Sequence, residues 1–124
     1  MKSPEYQTLT PYFTVEDADV LIAFLSDAFG GTVIKDDRDP NGRVQHARIR
    51  IEDTVIMLNE SSATYTANTS QMHLYVPDLD SAYEAALGAG ATTLMEPNLR
   101  PHGDRMAGIT DPTGNIWWIA QRPE

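Results

Sequence analysis

Two segments of the chain share one order of apolar and polar positions. The sequence from Phe13 to Asp19 (FTVEDAD) resembles the sequence from Leu74 to Asp80 (LYVPDLD) at an offset of 61 residues. Each segment begins with the alternation typical of a short strand and ends in an acidic turn. Self-similarity at a fixed offset indicates a duplicated supersecondary unit. We therefore expect the two halves of the chain to fold alike.

Each acidic turn leads into a stretch with helical periodicity, residues 17–29 and residues 78–89. The apolar positions of each stretch form one stripe on a 3.6-residue period. These positions are Val20, Leu21, Phe24, Leu25 and Ala28 in the first stretch, and Leu79, Ala82, Tyr83, Ala86 and Leu87 in the second. Asp17 or Asp19, and Asp78 or Asp80, can cap the first turn. Glycines follow both stretches, so the pattern predicts two amphipathic helices.

Short runs of β-prone residues follow each predicted helix. We expect strands at 32–35, 45–51 and 54–59 in the first half and at 92–95, 104–110 and 115–121 in the second, with polar loops at 36–43 and 96–103. The segment from Asp111 to Gly114 (DPTG) is a strong turn sequence between the last two strands. The order predicts an α+β fold of two βαβββ modules, about 7–60 and 71–122, within a single domain spanning 1–124.

Composition narrows the class of protein. The 124 residues suit one domain. Their longest apolar runs fall far short of a membrane helix, and the first residues lack the apolar segment of a signal peptide, so we expect a cytoplasmic protein without membrane contact. The absence of cysteine excludes thiolate metal sites and a cysteine nucleophile. A net charge of −9 argues against nucleic acid as a partner.

Several local phrases occur in a fixed order along the chain. They are TPYFTV at 10–15, AFGG at 28–31, His46-Ala47, HLYV at 73–76, GDR at 103–105 and DPTGNIWW at 111–118. This series resembles the glyoxalase/bleomycin resistance/dioxygenase (vicinal oxygen chelate, VOC) superfamily, and within it the branch called 3-demethylubiquinone methyltransferase-like. The resemblance implies a curled mixed sheet, with helices on the convex side and a ligand in the concavity. It also implies modules paired within or between chains, commonly in a homodimer.

The resemblance implies metal ligands on the first and last strand of each module. In this sequence those positions are Tyr12, Met57, His73 and Trp118. A catalytic ion needs imidazole or carboxylate ligands, and only His73 supplies one readily. We therefore expect no metal and no other cofactor. An alternative stays open, a metal-dependent lyase or isomerase that uses His73 with further ligands such as His46 and Glu60.

Strand alternation sorts the remaining side chains, because successive residues point to opposite faces. The predicted ligand-binding residues on the concave side and its rim are Tyr12, His46, Arg48, Met57, His73, Tyr75, Arg105 and Trp118. Val55 and Asn59 are also expected to point inward. Arg48 either anchors an anionic group or reaches to solvent, and Arg105 either contacts ligand or forms a local salt bridge.

These residues predict an aromatic-lined, metal-free pocket in a small-molecule binding protein. Resistance or sequestration is the expected role, and the sequence identifies no catalytic residue.

Overall fold

The computed structural model of the protein describes residues 7–123. Its elements follow the order βαβββ twice, which confirms the predicted α+β class. The helices are α1 (Ala18–Phe29) and α2 (Leu79–Gly88). The strands are β1 (Tyr12–Val15), β2 (Thr32–Arg38), β3 (Val44–Ile51), β4 (Thr54–Glu60), β5 (Gln71–Tyr75), β6 (Thr92–Leu99), β7 (Arg105–Thr110) and β8 (Ile116–Gln121).

The strands form two four-stranded mixed sheets with the same topology. Sheet A has the order β1-β4-β3-β2, and sheet B has the order β5-β8-β7-β6. In each sheet the first and last strands of the module lie side by side in parallel, and the other pairs are antiparallel. The parallel registers place Tyr12 beside Met57 and His73 beside Trp118. The sequence repeat is therefore also a structural repeat.

Both helices begin at the aspartates expected to cap them. Asp17 accepts a hydrogen bond from the Val20 N–H at 3.2 Å, and Asp78 accepts one from the Ser81 N–H at 3.3 Å. The first helix ends at Gly30, whose φ of 68° lies in the left-handed region that glycine adopts without strain. Neither of these helices is long and apolar enough to cross a membrane.

The helix-covered faces of both sheets contribute to one shared core. Trp117 stacks on Phe13 with ring centroids 5.8 Å apart, and it packs against Phe29 at 5.1 Å. The two helices contact each other beside this cluster. The buried aliphatic side chains of the core include Leu21, Leu25, Ile49, Leu58, Leu79, Ile109 and Ile119. The core thus joins the two modules through their helical sides.

The strands that follow the helices are longer than the sequence predicted. β2 extends through Arg38, and β6 extends through Leu99, so the first part of each expected loop is strand. Both are outermost strands of their sheets, where one edge and much of the surface contact solvent, and their polar composition resembled a loop. Pro97 lies in this edge strand at an irregularity of the pairing between Met95 and Asn98, and edges and bulges are the places where a sheet tolerates proline.

Asp111 provides the first test of the fold. Its carboxylate is 4% exposed and accepts hydrogen bonds from the Thr113 N–H at 2.7 Å, the Asn115 N–H at 3.1 Å and the Trp117 indole N–H at 2.8 Å. We expect Asp111→Ala to lower the free energy of unfolding by about 3 kcal/mol, because buried donors lose a charged acceptor. Urea denaturation measures this loss.

The matching control is Asp53→Ala in the turn between β3 and β4. Asp53 is exposed, and it accepts a hydrogen bond from the neighbouring Thr54 hydroxyl at 3.3 Å. Its loss should cost less than about 0.5 kcal/mol. Equal effects of the two substitutions would contradict the role given to Asp111.

Candidate functional site

Each sheet has an outer face, defined here as the side opposite the helices and the shared core. Seven of the eight predicted ligand-binding residues point to these faces, as alternation predicted. They are Tyr12, His46, Arg48 and Met57 on sheet A, and His73, Tyr75 and Trp118 on sheet B. Their strand neighbours, such as Phe13, Ala47, Leu58 and Trp117, are buried in the core. The outer faces correspond to the expected concave side.

On sheet A the register brings an aromatic, a thioether and two cationic side chains into one row. Tyr12 lies beside Met57, Met57 beside Arg48, and Arg48 beside Lys35. The Tyr12 hydroxyl lies 3.4 Å from the His46 Nδ1 atom. Burial, followed by the charges of Arg48 and Lys35, lowers the pKa of His46 below its usual value. This shift favours the neutral imidazole form of His46.

Val55 is a partial exception to the sequence prediction. Its side chain is on the outer side by alternation, yet it is fully buried. The Gln7 side chain is hydrogen-bonded to the main chain of Val55, through Nε2 to the carbonyl at 2.9 Å and through Oε1 to the N–H at 3.1 Å. The segment before β1 therefore lies beside this end of the sheet. Asn59, the other expected inward residue, accepts a hydrogen bond from the Thr14 hydroxyl at 2.9 Å.

On sheet B the indole of Trp118 lies over a glycine of the neighbouring strand. A Cβ atom added to Gly108 would lie 2.6 Å from Trp118 Cζ3, closer than such atoms approach. The indole N–H donates to Gln71 Oε1 at 2.9 Å, which fixes the ring from the other side. The indole remains partly exposed. Sequence reasoning missed Gly108, although a glycine inside a predicted strand often marks a close approach.

One end of the outer face of sheet B holds a polar cluster. The Tyr75 hydroxyl donates to Asp104 Oδ2 at 3.0 Å, and this bond raises the pKa of Tyr75 above its usual value. Asp104 is itself buried, and His102 Nε2 lies 3.6 Å from its carboxylate. His73 packs edge-on against the Tyr75 ring, and the Arg122 guanidinium lies 5.5 Å from the centroid of that ring. Asp104 and Arg122 were not predicted as site residues.

Arg105 does not join the other predicted residues. It shares the core-facing side of β7 with Ala107 and Ile109, which are fully buried. Its guanidinium pairs with Asp80 in the first turn of α2 at 3.1 Å. Arg105 therefore forms a local salt bridge, one of the two roles that the sequence left open, and its contact with a ligand stays a prediction.

The donor set does not fit the metal site that the family resemblance implies. Tyr12 and Met57 lie together on one sheet, and His73 and Trp118 lie together on the other. Across residues 7–123, no three His, Cys, Asp or Glu side chains are grouped so that they could hold an ion. Glu60 lies on the helix side, where it accepts a hydrogen bond from the Val44 N–H at 2.8 Å. The alternative ligand set with His46, His73 and Glu60 is not assembled in a single chain.

Three clefts of the described residues lie mostly away from these side chains. Clefts of about 540, 360 and 420 Å³ occur near the start of α1, between the two helices, and beside the end of β5. Of the predicted ligand-binding residues, only Tyr75 lines any of these three clefts. The two outer faces are open surfaces in the single chain. Within the described residues, neither face is covered by an opposing surface of the same chain.

Comparison with known proteins connects this geometry to a family. The profile of the Glyoxalase/Bleomycin resistance protein/Dioxygenase superfamily matches residues 8–119. An uncharacterized protein of Mycobacterium bovis is 31% identical, over 91% of this chain and 82% of its own length. TioX from Micromonospora sp. ML1 superposes with a TM-score of 0.80 at 19% identity, over 95% of this chain and all 100% of that one.

The PhnB protein from Bacillus cereus is also similar in structure, with a TM-score of 0.74 at 16% identity. The superposition covers 93% of this chain and 99% of that chain. At these identities the two structural likenesses show the fold alone.

Two consecutive tryptophans test the assignment of faces. Trp117 is 3% exposed within the core, whereas Trp118 lies on the outer face. We expect Trp117→Ala to lower the free energy of unfolding by about 3–5 kcal/mol, because truncating a buried tryptophan leaves a large cavity. Trp118→Ala should cost under about 1.5 kcal/mol in the same thermal and urea melts. The reverse order of effects would mean that the faces are inverted.

Proposed function

The chain belongs to the glyoxalase/bleomycin resistance protein/dioxygenase superfamily, and we propose that it is a metal-free member that binds a small molecule without turning it over. The supporting observation is the position of Trp118 over Gly108, held by Gln71, on a face without a set of metal ligands. The biological role is sequestration or resistance. The cytoplasmic location expected from the sequence stays a prediction.

The outer face of sheet B has the chemistry of a binding wall for an aromatic molecule. Trp118 provides a partly exposed indole, and the registers of β6 and β7 place Met95 and Met106 on the same face. Thioether sulfur atoms are polarizable and contact aromatic rings favourably. His73 and Tyr75 add polar atoms at one side. Apolar walls with a few polar groups are typical of small-molecule sites.

A second copy of the chain supplies the missing wall in this proposal. The shared core fills the helical side of both sheets, so both outer faces point away from it. Tyr12 is 45% exposed and Tyr75 is 50% exposed, so each face presents an aromatic ring that a partner can cover. β1 and β5 are also outermost strands, and uncovered strand edges favour association.

The proposed homodimer places sheet A of each protomer opposite sheet B of its partner. Two-fold symmetry then produces two equal sites, because the same pair of faces meets twice. Each site contains Tyr12, Arg48 and Met57 from one chain, and His73 and Trp118 from the other. The Asn68 N–H donates to the Thr14 carbonyl at 3.1 Å, so the linker already covers part of the β1 edge. Contact through the faces is therefore the main feature of the proposal.

The absence of a metal requirement is tested by elemental analysis. We expect the purified protein to contain much less than one equivalent of Zn, Ni, Mn or Fe, because Tyr12, Met57 and Trp118 replace imidazole or carboxylate ligands. Binding of N-phenyl-1-naphthylamine, a neutral aromatic probe, should not change after treatment with EDTA. About one tightly held metal ion per chain would instead support the lyase or isomerase that uses His73.

The shared site is tested by mixing two variants in one dimer. We expect Tyr12→Ala and Trp118→Ala each to lower the affinity for the neutral probe at both sites of the corresponding homodimer. A mixed dimer should regain one intact site, because one of its two interfaces receives Tyr12 and Trp118 unchanged. Co-expression with two different tags isolates the mixed dimer, and fluorescence titration gives its number of sites.

Two further results decide the outcome of this mixing experiment. A mixed dimer with no intact site would show that each pocket comes from one chain. A monomer at micromolar concentration in sedimentation, with probe affinity unchanged, would remove the dimer from the proposal. The control is a mixture of wild-type chains with both tags, which should retain two sites.

A further inference from the structure

The outer face of sheet A carries a concentration of positive charge. β3 places Arg48 and Arg50 on this face, and β2 places Lys35 beside Arg48. The strand positions on this face include one acid, Asp37, whose carboxylate lies 3.5 Å from the ammonium group of Lys35. The whole chain has a net charge of −9. The charge of this face is therefore opposite in sign to the net charge of the protein.

The outer face of sheet B has a different character. The residues that β5, β7 and β8 place on it have no formal charge, apart from the titratable ring of His73. At the β6 side, the Arg100 guanidinium donates to Asn98 Oδ1 at 3.0 Å and lies 4.0 Å from Met95 Sδ. Asp104, the acid near this face, is buried and bonded to Tyr75. The face is aromatic and sulfur-rich with a cation at its edge.

We propose that the ligand is an aromatic compound that carries an anionic group, such as a carboxylate or sulfonate. Its ring packs on Trp118 of one protomer, and its anionic group contacts Arg48 and Arg50 of the partner subunit. This inference rests on the proposed function, because it needs the two faces to meet across the dimer. It adds the charge of the ligand, which the aromatic wall alone does not determine.

The physical reason is the combination of charge and desolvation. Arginine presents a planar fork of N–H donors that fits carboxylate and sulfonate oxygens. Enclosure between two faces lowers the local dielectric constant, so each charge contact becomes stronger than on an open surface. Burial is the main cause of the lowered pKa of His46, and the charges of Arg48 and Lys35 lower this pKa further, as expected on a cationic face.

The opposing explanation is that the arginine stems only cover apolar surface while their charged ends remain in water. In that case the site would bind an anionic ligand no more tightly than a neutral one. Two fluorescent probes separate the explanations because they share one ring system. They are 8-anilinonaphthalene-1-sulfonate, which is anionic, and N-phenyl-1-naphthylamine, which lacks the sulfonate.

We expect the intact dimer to bind the anionic probe at least about tenfold more tightly than the neutral one at low salt, since charged hydrogen bonds contribute at this level. The Arg48→Gln/Arg50→Gln variant should remove this preference, because it weakens binding of the anionic probe far more than binding of the neutral one. Raised ionic strength should weaken binding of the anionic probe only. Trp118→Leu should weaken binding of both probes.

The control for a general effect of charge is Arg43→Gln. Arg43 is not one of the residues of the cationic face. Its guanidinium forms an ion pair with Glu60 at 3.5 Å and donates a hydrogen bond to the Ser61 carbonyl at 2.8 Å. Its substitution removes one positive charge and should not alter the preference for the anionic probe. If the double variant unfolds, Lys35→Gln tests the same face with a residue that is exposed.

The outcomes distinguish the two proposals. Equal affinity for both probes, with both lost in Trp118→Leu, would overturn the anionic ligand and keep the aromatic binding function. Affinities that do not respond to Trp118→Leu would overturn the binding function itself. A preference that Arg43→Gln reduces as much as the double variant would show a general charge effect, and would also overturn the anionic ligand.

Discussion

The stacking of Trp117 on Phe13 determines the orientation of both sheets. The two rings belong to different modules, so their contact brings the helical sides of the modules together. Neighbouring residues in a strand point to opposite faces, and burial of Trp117 therefore turns Trp118 outward. The same rule turns Tyr12 away from the core beside Phe13. Core packing thus places the candidate site residues as a direct consequence, and Asp111 holds the indole on which this packing depends.

The duplicated modules have kept their topology and diverged in their surface chemistry. Tyr12 and His73 are equivalent positions, as are Met57 and Trp118, in sheets of identical strand order. One face has become cationic and the other aromatic. Two unlike faces can bind the two ends of an amphiphilic molecule, whereas two identical faces would favour a symmetric one.

The sequence predicted the repeat, the helix caps and the alternation of β3, β4 and β8, because these depend on local periodicity. It did not predict the role of Gly108, since that depends on which residue of a neighbouring strand lies beside it. It also did not identify the partner of Arg105, because Asp80 lies 25 positions away and is brought near only by the fold. The polar edge strands β2 and β6 looked like loops because solvent-facing strands lack an apolar pattern.

The outward direction of the two faces has a consequence for how protein concentration governs binding. In the proposed dimer neither wall of a site is complete within one chain, so a ligand that contacts both walls binds the dimer in preference to the monomer. By mass action, such a ligand stabilises the assembly, and dilution of the protein lowers its apparent affinity. The coupling is reciprocal, because dimerisation raises ligand affinity by the same factor as ligand raises dimer affinity. A cell that makes more of this protein would therefore gain binding capacity more steeply than in proportion to the number of chains.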